Sequence, residues 1–204
     1  MTRASRPRLP HPRVELRLAG SGGQGLILAG LILAEAAGVY DGREVAMVQS
    51  YGPEARGGAS KAEIILSDEP IDYPLCANVD LFLAMNQEAS DSYCWDLKPG
   101  AWIVVDKDLV NHPPSSRAVS LAFTTVAHEK LGKRMVANIV ALGAISAMTG
   151  LVSKRALEKA LLSHVPPGTA DINRRALALG IKLGGAQAGK PPSAEDEEYD
   201  EESD

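Results

Sequence analysis

Gly20-Ser21-Gly22-Gly23-Gln24-Gly25 is the stretch of sequence that decides the fold. Before it, apolar and charged residues alternate over positions 14–18 and predict a strand, and the apolar residues after it predict a helix that runs to about Gly38. Glycines between a strand and a helix allow a tight turn, and they let a ligand's phosphates approach the amides that open the helix. The stretch therefore predicts a strand–turn–helix unit with a candidate anion site at the turn.

Apolar runs and turn signals continue this alternation along the chain. They predict further strands at residues 45–49, 61–66, 79–85, 102–105 and 117–123, and further helices at residues 86–95, 125–131, 135–148, 154–164 and 171–181. Ser153 is the expected N-cap of the helix at residues 154–164. The predicted fold class is α/β: a single Rossmann-like domain with a mostly parallel sheet, helices on both faces, and C-terminal helices.

Length and composition fit one domain with tails. The chain has 204 residues, of which 45% are hydrophobic but only 4% aromatic, so one core built from aliphatic side chains is expected. We expect a flexible basic and proline-rich lead over residues 1–12, the domain over residues 13–184, and a disordered acidic tail over residues 185–204. The last ten residues carry eight acids while the formal net charge is −5, so the rest of the chain is slightly basic.

Several classes of protein are disfavoured by the sequence. The lead has no apolar run of the kind found in secretory signals or spanning helices, so we expect a cytoplasmic protein with neither membrane nor nucleic-acid partners. Cys76 and Cys94 stand apart without a Cys-x-x-Cys motif, which favours packing residues over a zinc site or an iron–sulfur cluster. No metal site and no catalytic residue are expected on this chain, because its four histidines are scattered at His11, His112, His128 and His164.

Two of the predicted helices are apolar almost all round, at residues 26–37 and 135–148. Such helices need cover on every face, which a position between the sheet and other helices supplies. A face of small residues at Ala141, Ala144 and Ala147 leaves a second interpretation open, in which this helix contacts another subunit.

The spacing Gly20-x-Gly22-x-x-Gly25 matches the fingerprint of dinucleotide-binding domains. That fingerprint also requires an acid at the end of the second strand, where it holds a ribose hydroxyl, and here the strand ends in Gln49-Ser50. NAD or FAD is therefore disfavoured. Two interpretations remain: the glycines only allow close packing, or an anionic ligand or partner approaches the amides of residues 22–26, with Gln24 presented as a hydrogen-bonding side chain.

The connection after the second predicted strand is the least generic part of the sequence. It reads Tyr51-Gly52-Pro53-Glu54-Ala55-Arg56-Gly57-Gly58, with three glycines, a proline of fixed φ, and an ion-pair candidate in Glu54 and Arg56. Gly52 and Gly57 have P-loop spacing, but Gly58-Ala59 stand where Lys and Ser/Thr are required, so a nucleotidase is disfavoured. A polar binding surface and an ordered connection without a ligand both stay open.

Asn86 and Gln87 begin a helix after another predicted strand. In open α/β sheets the carboxyl ends of parallel strands share one edge, so this helix start and the two loops are expected to lie together. Asn86 has the alternative role of a simple N-cap. The candidate site residues are Gly20, Gly22, Gly23, Gln24, Gly25, Tyr51, Glu54, Arg56, Gly57, Gly58, Asn86 and Gln87.

Three stretches together resemble one family. The glycine loop with Leu28-Ala29-Gly30 behind it, the Tyr51 to Gly58 run, and Met85-Asn86-Gln87 are similar to the gamma subunits of 2-oxoacid:ferredoxin oxidoreductases. The similarity covers roughly residues 13–180. The Tyr-Gly-Pro-Glu-Ala-Arg-Gly-Gly run is its specific part and looks most like the 2-oxoglutarate branch.

The resemblance implies a heteromeric enzyme with no complete active site on this chain. Thiamine diphosphate and magnesium would lie on alpha and beta subunits, and iron–sulfur clusters on partners, including a ferredoxin-like delta subunit or domain, would pass electrons to ferredoxin. The acyl group would pass to coenzyme A, which the equivalent domain of fused relatives is associated with binding; the contact candidates here are residues 22–25, Arg56 and Gln87. A purely structural subunit and a freestanding nucleotide-binding protein are the alternatives.

Overall fold

A computed structural model describes residues 7–51 and 58–189 of the chain. Within these ranges, strands and helices follow one another in the order that the sequence predicts. The strands are β1 (Arg13–Ser21), β2 (Glu44–Tyr51), β3 (Ala59–Ser67), β4 (Val79–Ala84), β5 (Leu97–Asp106) and β6 (Val119–Leu121). The helices are α1 (Leu26–Glu35, extended by the π-helical turn Ala36–Tyr40), α2 (Gln87–Tyr93), α3 (Phe123–Leu131), α4 (Ala137–Thr149), α5 (Lys154–His164) and α6 (Ala170–Gly185).

The six strands form one sheet in the order β2-β3-β1-β4-β5-β6. The pairs β1–β4, β4–β5 and β5–β6 are parallel, whereas β3 is antiparallel to both β1 and β2, so β3 alone runs in the opposite direction. The predicted α/β fold with a mostly parallel sheet is confirmed. The antiparallel β2–β3 pair follows from the chain itself, because the seven residues that join these strands are too few for a parallel crossover.

The predicted elements are all present, but some of their ends differ. The strand predicted at residues 117–123 is shorter, because β6 ends at Leu121 and Phe123 already begins α3. The sequence predicts a strand at residues 102–105, but β5 already begins at Leu97 and includes Gly100 at φ 76°. The register against β4 jumps between Val79 and Leu81, so the early part of β5 bulges away from its neighbour. A bulge of this kind admits the Pro99-Gly100 pair, which a sequence pattern assigns to a loop.

Helices cover both faces of the sheet, but unequally. Alternate residues of β1 separate the two sides: Leu16 and Leu18 belong to the main core, and Ala19 belongs to a smaller second core. The main core lies under α1, α3, α4, α5 and α6. The second core is built around Phe82 and Val105 and is covered by the short helix α2, through Ala89.

The close contact between α4 and α6 depends on glycine. A Cβ on Gly180 would lie 2.0 Å from the Val140 carbonyl oxygen, and one on Gly184 would lie 2.2 Å from that of Ala144. The backbones of the two helices therefore touch directly. This contact, with the burial of Ala141 and Ala144, corrects the interpretation of the small-residue face as a subunit contact. Within the described ranges, no helix is both long and apolar enough to span a bilayer.

On the second face, β1 carries a fully buried arginine. Arg17 pairs with Glu63 at 2.7 Å and with Asp96 at 2.6 Å, and its guanidinium lies 4.4 Å from the ring of Trp95. It also donates to the carbonyl oxygens of Tyr93 and Trp95, both at 3.0 Å. Burial lowers the pKa of Arg17, but the hydrogen bonds to Asp96 and Glu63 outweigh it, so the pKa is raised and the charge is kept. The network fixes the turn between α2 and β5.

Glu15, which lies on the same face of β1 before Arg17, has a corresponding role. Its carboxylate accepts hydrogen bonds from Arg13 Nε at 2.7 Å and from the amides of Ala77 and Asn78 at 2.7 and 2.8 Å. Burial raises the pKa of Glu15, but the hydrogen bonds from Arg13, Asn78 and Ala77 outweigh burial and hold it below its ordinary value. The segment before β4 is therefore tied to β1 by a carboxylate.

The domain begins earlier than the sequence predicts. Leu9 is buried in the main core, the carbonyl of Pro7 accepts a hydrogen bond from Arg43, and the carbonyl of Pro12 accepts one from the amide of Asp68 at 3.1 Å. Residues 7–12 thus pack on the domain, which corrects the expectation of a flexible lead over that segment. Composition could not show this, because a single leucine among prolines and arginines gives no periodic signal. Residues 1–6 and 190–204 lie outside the described ranges.

The α4–α6 contact gives a first prediction. Gly180→Ala is expected to lower the free energy of unfolding by about 3 kcal/mol, because the added methyl forces two packed backbones apart. The matched control is Gly185→Ala on the same helix, where a Cβ would meet nothing within 4 Å and a change below about 1 kcal/mol is expected. Urea unfolding measures both, and equal effects would contradict the direct backbone contact.

Glu15 gives a prediction for pH. Because its pKa is lower folded than unfolded, its contribution is complete above the ordinary value of 4.5 and is lost as the pH falls through the folded-state value. Glu15→Gln should therefore lower the free energy of unfolding by roughly 1 kcal/mol or more at pH 7 and by less at pH 3. Urea titrations at both pH values test this, with Glu44→Gln, an exposed carboxylate of β2, as the control. A cost that is the same at both pH values would contradict the assignment.

Candidate functional site

The candidate residues that the structure describes lie at the edge of the sheet where β1, β2 and β4 end. In register, Tyr51 of β2 pairs with Ser60 of β3, which pairs with Gly20 of β1. Tyr51 is therefore two strands from the glycine loop, or about 10 Å at the usual strand spacing. The structure brings the glycine loop, the end of β2 and the start of α2 to one edge.

The glycines of the loop are needed for two different reasons. Gly23 and Gly25 have φ values of 95° and 76°, which glycine adopts without strain. Gly20 has no space for a side chain, because a Cβ there would lie 2.6 Å from Gln24 Oε1 and 2.8 Å from Leu26 Cδ2. The turn between β1 and α1 is therefore packed from inside.

Gln24 fills the inside of this turn. Its Oε1 accepts a hydrogen bond from the amide of Ser21 at 2.6 Å, and its Nε2 donates to the carbonyl of Met85 at 2.9 Å. The carboxamide thus joins the end of β1 to the end of β4. The role of Gln24 as a ligand contact stays a prediction, and in this structure both ends of the side chain are engaged within the chain.

Asn138 of α4 is a site residue that the sequence analysis missed. It is buried, and its Nδ2 donates to the carbonyl of Gly25 at 3.0 Å. A Cβ on Gly25 would lie 2.5 Å from the same nitrogen, so the third glycine of the motif makes room for Asn138. The signal was present as an asparagine inside an almost wholly apolar helix, where a buried amide needs a polar partner.

The amides that open α1 are the groups at this edge that are suited to an anion. The N-cap is Gly25, which supplies no side-chain cap, and the first turn contains no acid. The amides of a first helical turn have no acceptor within the helix, and the helix dipole favours negative charge there. Gly22 and Gly23 are exposed, but the amide of Gly22 already donates to the carbonyl of Gly58 at 3.1 Å. The amide of Gln24 likewise donates to the carbonyl of Ser21 at 3.1 Å, so the amides left for a ligand are those of Gly23, Gly25 and the first residues of α1.

Asn86 and Gln87 are both engaged within the chain. Asn86 caps α2 by accepting from the amide of Ala89 at 2.9 Å, and its Nδ2 donates to Ser21 Oγ at 2.6 Å. The carboxamide of Gln87 bonds the amide and the carbonyl of His112, both at 2.9 Å. Asn86 therefore borders the glycine loop, whereas Gln87 holds the segment after β5.

The loop between β2 and β3 is held at its second end. Besides the bond from Gly22 to Gly58, the amide of Ala59 donates to Glu88 Oε1 and the hydroxyl of Tyr93 donates to the Ala59 carbonyl, both at 3.1 Å. Glu88 and Tyr93 belong to α2, so α2 and the glycine loop fix where this loop ends. Tyr51 is exposed at its other end, and the candidates Glu54, Arg56 and Gly57 lie outside the described residues.

The sheet order adds a reason against a dinucleotide. In a dinucleotide-binding fold the second strand lies parallel beside the first, and its terminal acid reaches the ribose. Here β3 occupies that place and runs antiparallel to β1, which puts β2 at the outer edge. The edge therefore lacks the ribose-binding half of the fingerprint.

The described residues offer little for nucleophilic chemistry. Cys76 and Cys94 are both free, and burial raises the pKa of the Cys76 thiol to about 12, which keeps it protonated. Within residues 7–51 and 58–189, no group of three or more His, Cys, Asp or Glu side chains could hold a metal ion. What the edge can do is bind an anion and position it.

Residues 15–183 match the family described as pyruvate ferredoxin/flavodoxin oxidoreductase. The chain belongs to this family. The 2-oxoglutarate synthase subunit KorC of Methanocaldococcus jannaschii is 46% identical over 175 residues, which cover 84% of this chain and 94% of KorC. The gamma subunit of a keto/oxoacid ferredoxin oxidoreductase from Geobacter sulfurreducens is 48% identical, with a TM-score of 0.79, and covers 88% of this chain and 100% of its own.

These comparisons confirm the resemblance seen in the two glycine-rich loops. The chain is a gamma-type subunit of a 2-oxoacid:ferredoxin oxidoreductase, and other subunits are implied. The same fold also occurs in a longer chain, the 2-oxoglutarate:ferredoxin oxidoreductase of Magnetococcus marinus, solved with 2-oxoglutarate, coenzyme A and succinyl-CoA bound. The two chains are 24% identical, with a TM-score of 0.74, and the match covers 89% of this chain and 34% of the longer one. At this identity the comparison shows the fold alone.

The inward position of Gln24 gives a prediction for the gamma subunit. Gln24→Met keeps the size of the side chain but leaves the Ser21 amide and the Met85 carbonyl without their partner, so it is expected to cost about 2 kcal/mol. Gln187→Met, at an exposed position after α6, is the matched control and should change stability by less than about 0.5 kcal/mol. Thermal and urea unfolding measure the stability of both variants. A Gln24→Met protein as stable as the Gln187→Met control would contradict the hydrogen bonds from Gln24 to Ser21 and Met85.

Proposed function

We propose that this chain binds the diphosphate of coenzyme A at the amides that open α1, within a 2-oxoglutarate:ferredoxin oxidoreductase. The observation that carries the proposal is the uncapped start of α1, with exposed glycines before it and no acid in its first turn. A helix start of this kind is a ready-made site for a phosphate group. Gly23 lets the backbone approach such a group closely, because it presents no side chain.

The rigidity of the loop supports the same proposal. Gln24 and Asn138 hold the turn from inside, so its amides are already in place before a ligand arrives. A site that is ordered in advance loses less conformational entropy on binding. In the proposed complex this chain fixes the diphosphate, and the flexible arm of coenzyme A carries its thiol toward the acyl group on the partner subunits.

The substrate and the partners are proposed from the relatives. KorC, at 46% identity, is named a 2-oxoglutarate synthase subunit, which supports 2-oxoglutarate as the substrate. The Magnetococcus marinus enzyme binds 2-oxoglutarate, coenzyme A and succinyl-CoA. We place thiamine diphosphate and magnesium on alpha and beta subunits, and iron–sulfur clusters on partners that include a ferredoxin-like delta subunit or domain, with ferredoxin as acceptor. The cytoplasmic location stays a prediction from the sequence.

A purely structural subunit is the second candidate, and one group of observations favours it. The side chains of Gln24, Asn86 and Gln87 are all engaged within the chain, as they would be in a loop that only supports a fold. The two candidates differ in what the free amides meet. The structural role leaves them facing a partner surface, whereas the binding role leaves them facing phosphate oxygens.

A charge placed beside the amides separates the two candidates. Gly22 is exposed and does not have a positive φ, so its backbone conformation is one that other residues also adopt. Gly22→Glu adds a carboxylate that repels the diphosphate, while Gly22→Gln has the same shape without the charge. In the complete complex, Gly22→Glu is expected to weaken coenzyme A binding about tenfold or more relative to Gly22→Gln. Isothermal titration measures both affinities.

Pantetheine provides the internal control, because it lacks the phosphates. The two variants should bind pantetheine equally and should have the same KM for the 2-oxoacid. Equal affinity for coenzyme A in the two variants, in an intact complex, would contradict the binding role and leave the structural one. A shift that appears equally with pantetheine would show a general distortion and would also contradict it.

A further inference from the structure

The segment that leads into α4 lies beside the glycine loop. Asn138, in the first turn of α4, donates to the carbonyl of Gly25, which is the N-cap of α1. From there α4 runs back along the sheet, because Thr149 at its end lines the same cavity as Val14 near the start of β1. The 3-10 turn Arg134–Val136 continues directly into α4. It therefore projects beyond Asn138 at the functional edge, with Arg134 about 7 Å before Asn138 along the helix axis.

This segment carries positive charge that the described chain does not neutralise. Lys133 and Arg134 are both exposed, and neither pairs with an acid among residues 7–51 and 58–189. Glu129 is the one acid in the sequence between Asp108 and Glu158. The next residue, Met135, is 89% exposed, so the described chain also leaves the segment uncovered. Two adjacent cations are thus open to a ligand that lies at the start of α1.

Coenzyme A carries two anionic groups on one ribose, a diphosphate on the 5′ oxygen and a phosphate monoester on the 3′ oxygen. A diphosphate held at the amides of α1 therefore brings the second anion to whatever lies one ribose away. Backbone amides suit the diphosphate, because they are fixed donors of partial charge. A phosphate monoester has about two negative charges near neutral pH, and lysine and arginine side chains bind it by charge-assisted hydrogen bonds. The base pair before α4 has the right chemistry in the right place.

We propose that Lys133 and Arg134 bind the 3′-phosphate of coenzyme A and make the complex prefer coenzyme A to its 3′-dephospho form. The proposal rests on the proposed function, because the diphosphate at α1 decides where the adenosine end lies. The planar guanidinium of Arg134 donates to two phosphate oxygens at once, and Lys133 adds a second charge beside it. Both side chains are exposed, so water screens the contact and its contribution to affinity is modest.

Two ligands that differ only in the 3′-phosphate test these residues. Isothermal titration of the complete complex is expected to show coenzyme A binding about tenfold more tightly than 3′-dephospho-coenzyme A. With Lys133→Gln and Arg134→Gln together, the two affinities should differ by less than about twofold, and that for the dephospho form should be unchanged. The matched control is Arg155→Gln, which should keep the full preference. Arg155 is exposed at the opposite end of the domain, because the neighbouring Ser153 bonds Asp41 beyond the far end of α1.

The outcome separates this proposal from the diphosphate site, because both ligands carry the diphosphate. A wild-type complex without the preference, a double variant that keeps it, or a double variant that binds both ligands equally more weakly would overturn the role of Lys133 and Arg134. None of these results touches the diphosphate site, which Gly22→Glu tests against pantetheine. The single variant Arg134→Lys keeps the charge and should retain a preference of about threefold or more. The melting temperature and the KM for the 2-oxoacid should match wild type in every variant, which confirms an intact complex.

Discussion

The buried guanidinium of Arg17 is the interaction on which the second face of the sheet depends. A charge inside a protein is tolerated only when partners replace the water it loses, and here two carboxylates, two carbonyls and an indole ring do so. Removal of either carboxylate would leave some of the charge uncompensated. The central strand, the neighbouring β3 and the turn after α2 are thereby made one unit, in a place where a helix would normally provide the cover.

This unit connects the second face to the functional edge. The carbonyl of Tyr93 accepts a hydrogen bond from Arg17, and the hydroxyl of Tyr93 donates one to the carbonyl of Ala59, where the loop after β2 returns to the sheet. One residue earlier, the carbonyl of Gly58 accepts from the amide of Gly22. A short chain of bonds thus runs from the buried charge to the glycine loop. The amides that open α1 therefore lie on the outside of the same framework that holds the buried charge.

The fold could be predicted largely from the sequence, because apolar periods and glycines are local signals. The strand–turn–helix unit, the βαβ unit around α2, and the Ser153 cap, which accepts from the Ala156 amide at 3.1 Å, were all visible in this way. Sheet order was not visible, since only the short β2–β3 connection hints at the reversed strand. Arg17 and Asn138 were missed for a different reason. Each is a buried polar residue, and its partners come from distant regions of the chain.

The candidate site was predicted as a place more accurately than as a set of contacts. Side chains such as Gln24 and Gln87 look available in a sequence, but their bonds to Met85 and His112 depend on which strand ends meet. A cryo-EM structure of the complete complex with coenzyme A bound tests the central claim most directly. We predict diphosphate oxygens about 3 Å from the amides of Gly23, Gly25 and Leu26. A diphosphate held entirely by partner subunits, with this edge buried against protein, would contradict the account.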